Sequence, residues 1–230
     1  MNDKKRLMEI INIIDKDKKV IDIGTDHGLV PLYLAKNSIS TNILATDISA
    51  PSLKKLEDAL DDNLSKTIKT MVTDGFKGIK KEDNQVAIIA GMGGNTIIDI
   101  IDASLDFAKN LDYLIIESNI ASERLREYLV SQKFEILRDF LTYENGKYYD
   151  ILKVKYGKAN KLFLSDIYYG WENIENKSPL LEEKLKLDYE KNMAFKEEIL
   201  KNAKSKEGLN KINERLEAIN EVYKRWKLEN

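Results

Sequence analysis

Five short apolar runs punctuate the first two thirds of the chain: KVIDIG (19–24), NILATD (42–47), IKTMVTD (68–74), QVAIIAG (85–91) and LDYLIIES (111–118). Between them the apolar positions recur at helical spacing, over Leu29 to Lys36, Pro51 to Leu64 and Thr96 to Lys109. Strand alternating with helix predicts parallel strands joined by crossovers, a doubly wound α/β sheet covered on both faces. Runs such as VAIIA and YLIIE lack polar alternation, as strands buried on both sides should.

The pattern then changes. A helix is predicted over SERLREYLVSQ (122–132), followed by strands FEILRDFLTYE (134–144) and YYDILKVKY (148–156). Asn145-Gly146 between them tolerates the positive φ values of a tight turn, so this last pair should be an antiparallel hairpin. Five parallel strands extended at one edge by a hairpin differ from the six parallel strands of a dehydrogenase. From about residue 158 the chain reads as helical. Ser178-Pro179 opens a charged helix to about Lys204, and Ser205 to Leu209, with Gly208, breaks it. Leu209, Ile212, Leu216, Ile219, Tyr223 and Trp226 then alternate in steps of three and four, a heptad seam too short to stand alone. The expectation is a domain over 1–157 and, over 158–230, an α-helical hairpin of coiled-coil type, its seam closed against the preceding helix.

Composition narrows the function. With 230 residues, 43% of them hydrophobic, the chain can bury a sizeable core, and no apolar window approaches the length of a membrane span. The N-terminal MNDKKRLMEIINIID places Leu7, Ile10, Ile11 and Ile14 at helical spacing among charges, an amphipathic helix and not a signal peptide, so the cytoplasm is the expected compartment. The absence of cysteine excludes disulfides, thiolate metal sites and cysteine nucleophiles, and a single histidine excludes a multi-histidine metal site. No metal is expected. A net charge of -2 gives no global attraction to nucleic acid, so an RNA reader would need its lysines and arginines gathered on one face.

The chemistry concentrates at VIDIGTDHG (20–28). A strand ends in Asp22, Gly24 allows close backbone approach, and a helix follows, which is how a nucleotide cradle begins. Yet Asp26 stands where the dinucleotide fingerprint has its second glycine, and Leu29 where it has the third. A carboxylate there repels a pyrophosphate. It suits S-adenosylmethionine, which has no phosphates, one carboxylate and two positive centres. Asp47 ends the second strand at about the distance where an acid meets ribose hydroxyls. Asp74, in Thr73-Asp74-Gly75 after the third strand, is placed to accept from an adenine amino group, and Asp22 to reach the cofactor's ammonium.

DIGTDHG followed by LVPLYL resembles the first motif of the bacterial tRNA (adenine(22)-N1)-methyltransferases of the TrmK type, and AGMGG (90–94) is similar to a second. Lys5-Arg6-Leu7, Thr73-Asp74-Gly75 and the helical C-terminal appendage agree with that family over essentially the whole chain. At the end of the fifth strand the chain has Glu117-Ser118-Asn119 where relatives carry a QPN-like stretch, so only the asparagine is kept. The resemblance implies a Rossmann-like class I methyltransferase sheet, S-adenosylmethionine as cofactor, tRNA as partner and methylation at adenine N1.

Candidate cofactor contacts are then Asp22, Gly24, Thr25, Asp47, Ile48, Asp74, Gly75, Gly91 and Met92. Adenine N1 carries an in-plane lone pair and needs no strong base; the enzyme must supply in-line geometry and a place for positive charge. Asp26 is the expected carboxylate beside that charge. His27 is expected at the base or a phosphate, and Asn119 at the adenine edge. Gly93 and Gly94 offer a rim for an extruded base. Lys4, Lys5 and Arg6 are candidates for the tRNA backbone, together with the lysine-rich helices from Lys184 to Lys227, in an appendage whose residues 156–230 carry 15 bases and 14 acids. A monomer is expected. Two other classes share parts of this pattern: a small-molecule methyltransferase indifferent to tRNA, and a noncatalytic interaction protein whose helical hairpin binds a partner and whose nucleotide domain is a scaffold. A nicotinamide dehydrogenase fits least.

Overall fold

A computed structural model of the protein describes residues 5–159, 161–201 and 206–228. Lys4 and Ser205 lie outside the described residues, and the rest of the break expected over Ser205 to Leu209 is absent: Lys206 to Leu209, Gly208 included, already form the first turn of a helix. The strands are β1 (Lys19–Ile23), β2 (Asn42–Asp47), β3 (Ile68–Val72), β4 (Gln85–Met92), β5 (Tyr113–Ser118), β6 (Phe134–Glu144) and β7 (Lys147–Tyr156). The helices of this part are α1 (Lys5–Asn12), α2 (Leu29–Lys36), α3 (Ala50–Asp58), α4 (Leu64–Thr67), α5 (Gly94–Asp102), α6 (Leu105–Ala108) and α7 (Ser122–Ser131). After them come α8 (Leu164–Tyr169), α9 (Trp171–Glu175), α10 (Pro179–Lys201) and α11 (Lys206–Leu228).

One sheet of seven strands runs in the order β3-β2-β1-β4-β5-β7-β6. The first five are parallel, and β7 pairs antiparallel with β5. This is the sheet expected from the sequence, five parallel strands with an antiparallel hairpin at one edge. The hairpin turns at Asn145 (φ 50°) and Gly146 (φ 78°), two successive positive φ values, as the Asn-Gly pair requires. Val86 to Ile89 of β4 and Leu114 to Ile116 of β5 have no exposure at all, which is why these strands read as unbroken apolar runs.

The chain order reverses between β1 and β4: from β1 it winds outward to β2 and β3, then returns to the other side. Ligands of open α/β sheets bind outside the carboxyl ends of the strands at such a point. Two predicted helices prove shorter. The segment from Pro51 gives α3, which stops at Asp58, and the separate turn α4; the segment from Thr96 breaks at Ala103-Ser104 into α5 and α6.

The chain divides into two compact units. The first runs to Arg138 and resumes at Thr142; the second consists of Asp139–Leu141 and the chain from Lys161 onward. Within the second unit, α11 buries Ile212, Leu216, Ile219 and Val222. Its seam is closed by α10 and also by α8, with α9 meeting its end at Trp226; α8 and α9 are short helices that the heptad pattern does not announce. Arg225 Nη1 donates to Ser165 Oγ (3.0 Å) and to Asp166 Oδ1, and Trp226 Nε1 donates to the Ile174 carbonyl (2.8 Å). None of the described helices is long and apolar enough to cross a membrane.

Candidate active site

The turn after β1 is held from beneath by β2. Gly24 and Thr25 both donate their amides to the Thr46 carbonyl, at 2.8 and 2.9 Å. Gly24 has φ 72°, which favours glycine, and the methyl end of the Met92 side chain fills the space a Cβ there would take (2.2 Å from Cε). Asp26 adopts φ 46°, the left-handed conformation a glycine would take, while presenting a carboxylate. Its amide donates to Asp47 Oδ2 (3.2 Å), and the other oxygen of Asp47 accepts from the Ser49 amide (2.8 Å).

Behind the turn, Asp22 is 5% exposed and accepts from the Thr25 hydroxyl at 2.6 Å. Burial pushes its carboxyl up to about 6; the Thr25 hydrogen bond opposes the shift and the charge of Asp47 adds to it. His27 is exposed, with Nε2 3.4 Å from Asp26 Oδ2.

At the exit of β4 the register with β5 shifts between Ile89 and Met92, and Gly91 turns with φ 79°. Such bulges re-aim the chain beside functional sites. The Gly91 amide donates to Glu117 Oε2 at 2.8 Å. A Cβ at Gly91 would meet nothing within 4 Å, so this glycine borders open space. The same Glu117 oxygen accepts from Arg6 Nη1, while Arg6 Nε lies 3.5 Å from Glu144 Oε2 and its amide donates to Glu144 Oε1. The guanidinium sits 4.8 Å from the centre of the Tyr149 ring. Glu117 is 1% exposed with Oε1 unpartnered; burial raises its carboxyl, against the lowering effects of Arg6 and the Gly91 amide.

These groups enclose a cavity of about 440 Å³ at the reversal of strand order. It gathers eight of the residues singled out in the sequence: Arg6, Asp22, Gly24, Thr25, Asp26, His27, Gly91 and Met92. Leu7, Ile10, Leu29, Val30, Ala90 and Glu144 complete the wall. Asp47 does not line it but fixes the turn that does. Ile48 is 74% exposed past β2, and Asp74 is exposed and paired with Lys77 beside Gly75. Asn119, Gly93 and Gly94 sit along the β4–β5 rim outside the wall, and Lys5 is exposed on α1. Arg6 is thus not a freely presented surface cation: it is clamped by two carboxylates in the cavity wall.

Glu117 and Glu144 were not among the residues the sequence singled out for a role. Glu144 flanks the Asn-Gly turn, and Glu117 stands in the stretch that departs from the family pattern, but their common partner Arg6 lies 111 and 138 positions away. Among the described residues, no group of three or more His, Asp or Glu side chains is arranged to hold a metal ion.

A family model described as a methyltransferase domain matches residues 3–152. The chain is 29% identical over 160 residues to the tRNA (adenine(22)-N(1))-methyltransferase of Bacillus subtilis, covering 69% of this chain and 67% of that one. Among solved structures, Sp1610 of Streptococcus pneumoniae in complex with S-adenosyl-L-methionine superposes with a TM-score of 0.84 at 26% identity, covering 96% of this chain and 99% of the other. M. capricolum TrmK in complex with S-adenosyl-homocysteine gives 0.84 at 25% identity, covering 96% of this chain and all of the other.

Proposed function

The chain belongs to the methyltransferase-domain family and, within it, to the TrmK type, and on that premise we propose that it methylates N1 of an adenine, position 22, in tRNA, using S-adenosylmethionine. The observation that carries this reading is the charge of the cavity wall. Asp22, Asp26 and Glu144 face one arginine, Arg6, which is itself tied to Glu144 and to the buried Glu117. A diphosphate entering at the turn meets the Asp26 carboxylate; a cation meets a surplus of acids.

When bound, S-adenosylmethionine supplies an electrophilic methyl group on a sulfonium. Gly24 and Gly91, without side chains, admit it against the backbone. Asp22, behind the turn, takes its ammonium, and Asp47, anchored through the Asp26 and Ser49 amides, lies at the end of β2 toward the ribose. Ile48 and Asp74-Gly75 carry the same surface on past β3. Asp26, held in a left-handed conformation and exposed to the cavity, stands where positive charge develops on the adenine. His27 lies alongside it. No base is required to activate N1, and the role of the acid is electrostatic.

The tRNA reading places the enzyme in the cytoplasm as a monomer. Lys5 and the lysines of α10 and α11 are its candidate contacts to the RNA backbone. The test is to incubate the protein with labelled S-adenosylmethionine and unmodified tRNA transcripts and to map the modified base. Label at adenine N1 of position 22 is expected. Label on small molecules but not on tRNA would overturn the acceptor, and absence of cofactor binding in calorimetry would overturn the enzyme.

A further inference from the structure

Four large apolar side chains stay exposed along the carboxyl edge of the parallel strands: Leu29 (52%), Ile48 (74%), Val72 (56%) and Ile120 (66%). Ile48 and Val72 belong to the β2–β3 half of the sheet, where the cofactor's nucleoside is placed. Ile120 is on the other half, past the end of β5 and outside the cavity wall.

Its backbone is fixed without help from its side chain. The Ile120 carbonyl accepts from the Gly94 amide (2.8 Å) and from the Ser118 hydroxyl (2.9 Å). The following residue, Ala121, takes a left-handed conformation, φ 56°. A Cβ on Gly94 would lie 2.4 Å from the Ala121 carbonyl oxygen, so the turn after β5 and the start of α5 touch through backbone alone. The side chain is left to lie across Gly93: its Cγ1 and Cδ1 are 3.0 and 3.1 Å from where a Gly93 Cβ would stand. An apolar group on a rigid mount, uncovered and beside the wall formed by Gly91 and Met92, has the properties of a ligand contact and not of core.

We propose that Ile120, laid over the Gly93 backbone, is the apolar platform on which the target base rests after leaving its stack. The assignment builds on the tRNA reading of the site. An extruded base loses its stacking neighbours and needs an apolar surface against one face. Gly93, with no Cβ, lets the side chain lie flat on the backbone and turn its other face outward, and the neighbouring Asn119 is exposed at the same rim to meet the base edge. In strand order the exit of β4 lies between Ile120 and Leu29, so the base would bridge from the platform toward the cavity.

Ile120→Ser and Ile120→Leu are compared with the unaltered protein for methylation of an unmodified tRNA transcript, S-adenosylmethionine affinity and melting temperature. Ile120→Ser is expected to lower kcat/KM for tRNA by roughly tenfold, the scale of one lost apolar contact in a substrate pocket, with cofactor affinity and melting temperature unchanged. Ile120→Leu, keeping the apolar area, retains most of the activity. Undiminished kcat/KM in Ile120→Ser overturns the platform, as does a parallel loss of cofactor affinity, which would move Ile120 to the cofactor side. Failure of the unaltered, cofactor-bound protein to methylate tRNA is a different result: it overturns the acceptor, and the platform with it.

Discussion

Asp47 Oδ2 accepts the backbone N–H of Asp26 at 3.2 Å, and thereby couples the acid at the end of β2 to the turn that ends β1. An acid at this position reads as a ribose contact, and here it also sets the shape of the cradle. Removing it should therefore do two things. In Asp47→Ala, the Asp26 and Ser49 amides lose their partners, at about 1 kcal/mol each. We expect a lower melting temperature together with at least tenfold weaker S-adenosylmethionine binding, read by calorimetry. Unchanged stability with weakened binding would show that the anchoring bonds contribute nothing.

Asp26 should be tested with glycine in place of alanine. Its φ of 46° is strained for any side chain, so Asp26→Ala removes the carboxylate but keeps the strain, whereas Asp26→Gly removes both. Asp26→Gly is expected to keep cofactor affinity while lowering kcat by about a hundredfold, the scale of one lost electrostatic stabiliser. Equal loss of affinity and kcat would take Asp26 off the reacting charge.

Asp22 predicts a pH dependence whose sign follows from its environment. The folded-state pKa, about 6, lies above the ordinary carboxylate value of 3.8. The folded protein therefore holds the proton more tightly than the unfolded chain, and ionisation of Asp22 lowers stability as pH rises from about 4 to about 6, by about 3 kcal/mol in all. A bound ammonium reverses the preference. S-adenosylmethionine affinity should fall as pH drops below about 6, by up to about tenfold per unit, and Asp22→Asn should flatten that profile. Thr25→Val, lacking the hydroxyl that stabilises the carboxylate, should move it to higher pH.

Much of this was written in local patterns. The unbroken runs at Val86–Ile89 and Leu114–Ile116 declared strands buried on both faces, and Asn145-Gly146 declared the hairpin, because both signals depend on a few neighbouring residues. The cradle was legible for the same reason: Asp22, Gly24, Thr25 and Asp26 fall within five positions and meet in one cavity. The Arg6 clamp was not. Its carboxylates come from the end of β5 and the far end of β6, and no local spacing records that α1 lies against them. The same holds in the second unit, where α8 helps to close the seam of α11 and α9 meets its end: five- and six-residue helices carry too few turns for an apolar period to register.

The Arg6–Glu117 contact gives the last prediction. Glu117 is buried, and one of its oxygens holds both the Gly91 amide and the Arg6 guanidinium. In Glu117→Ala both donors lose that acceptor; Arg6 keeps Glu144, but the amide at the β4 bulge has no substitute. We expect a loss of about 2–3 kcal/mol in unfolding free energy, below the cost of breaking a wholly buried pair because Arg6 is partly solvated. Glu117→Gln keeps one acceptor of the same reach, and its NH2 takes the place of the unpartnered Oε1, so the charge is given up without loss of an existing bond. Denaturant titration should rank the variants with glutamine much closer to the unaltered protein than alanine. If glutamine were as damaging as alanine, the carboxylate's charge on Arg6, and not its grip on Gly91, would be what holds this wall of the cavity.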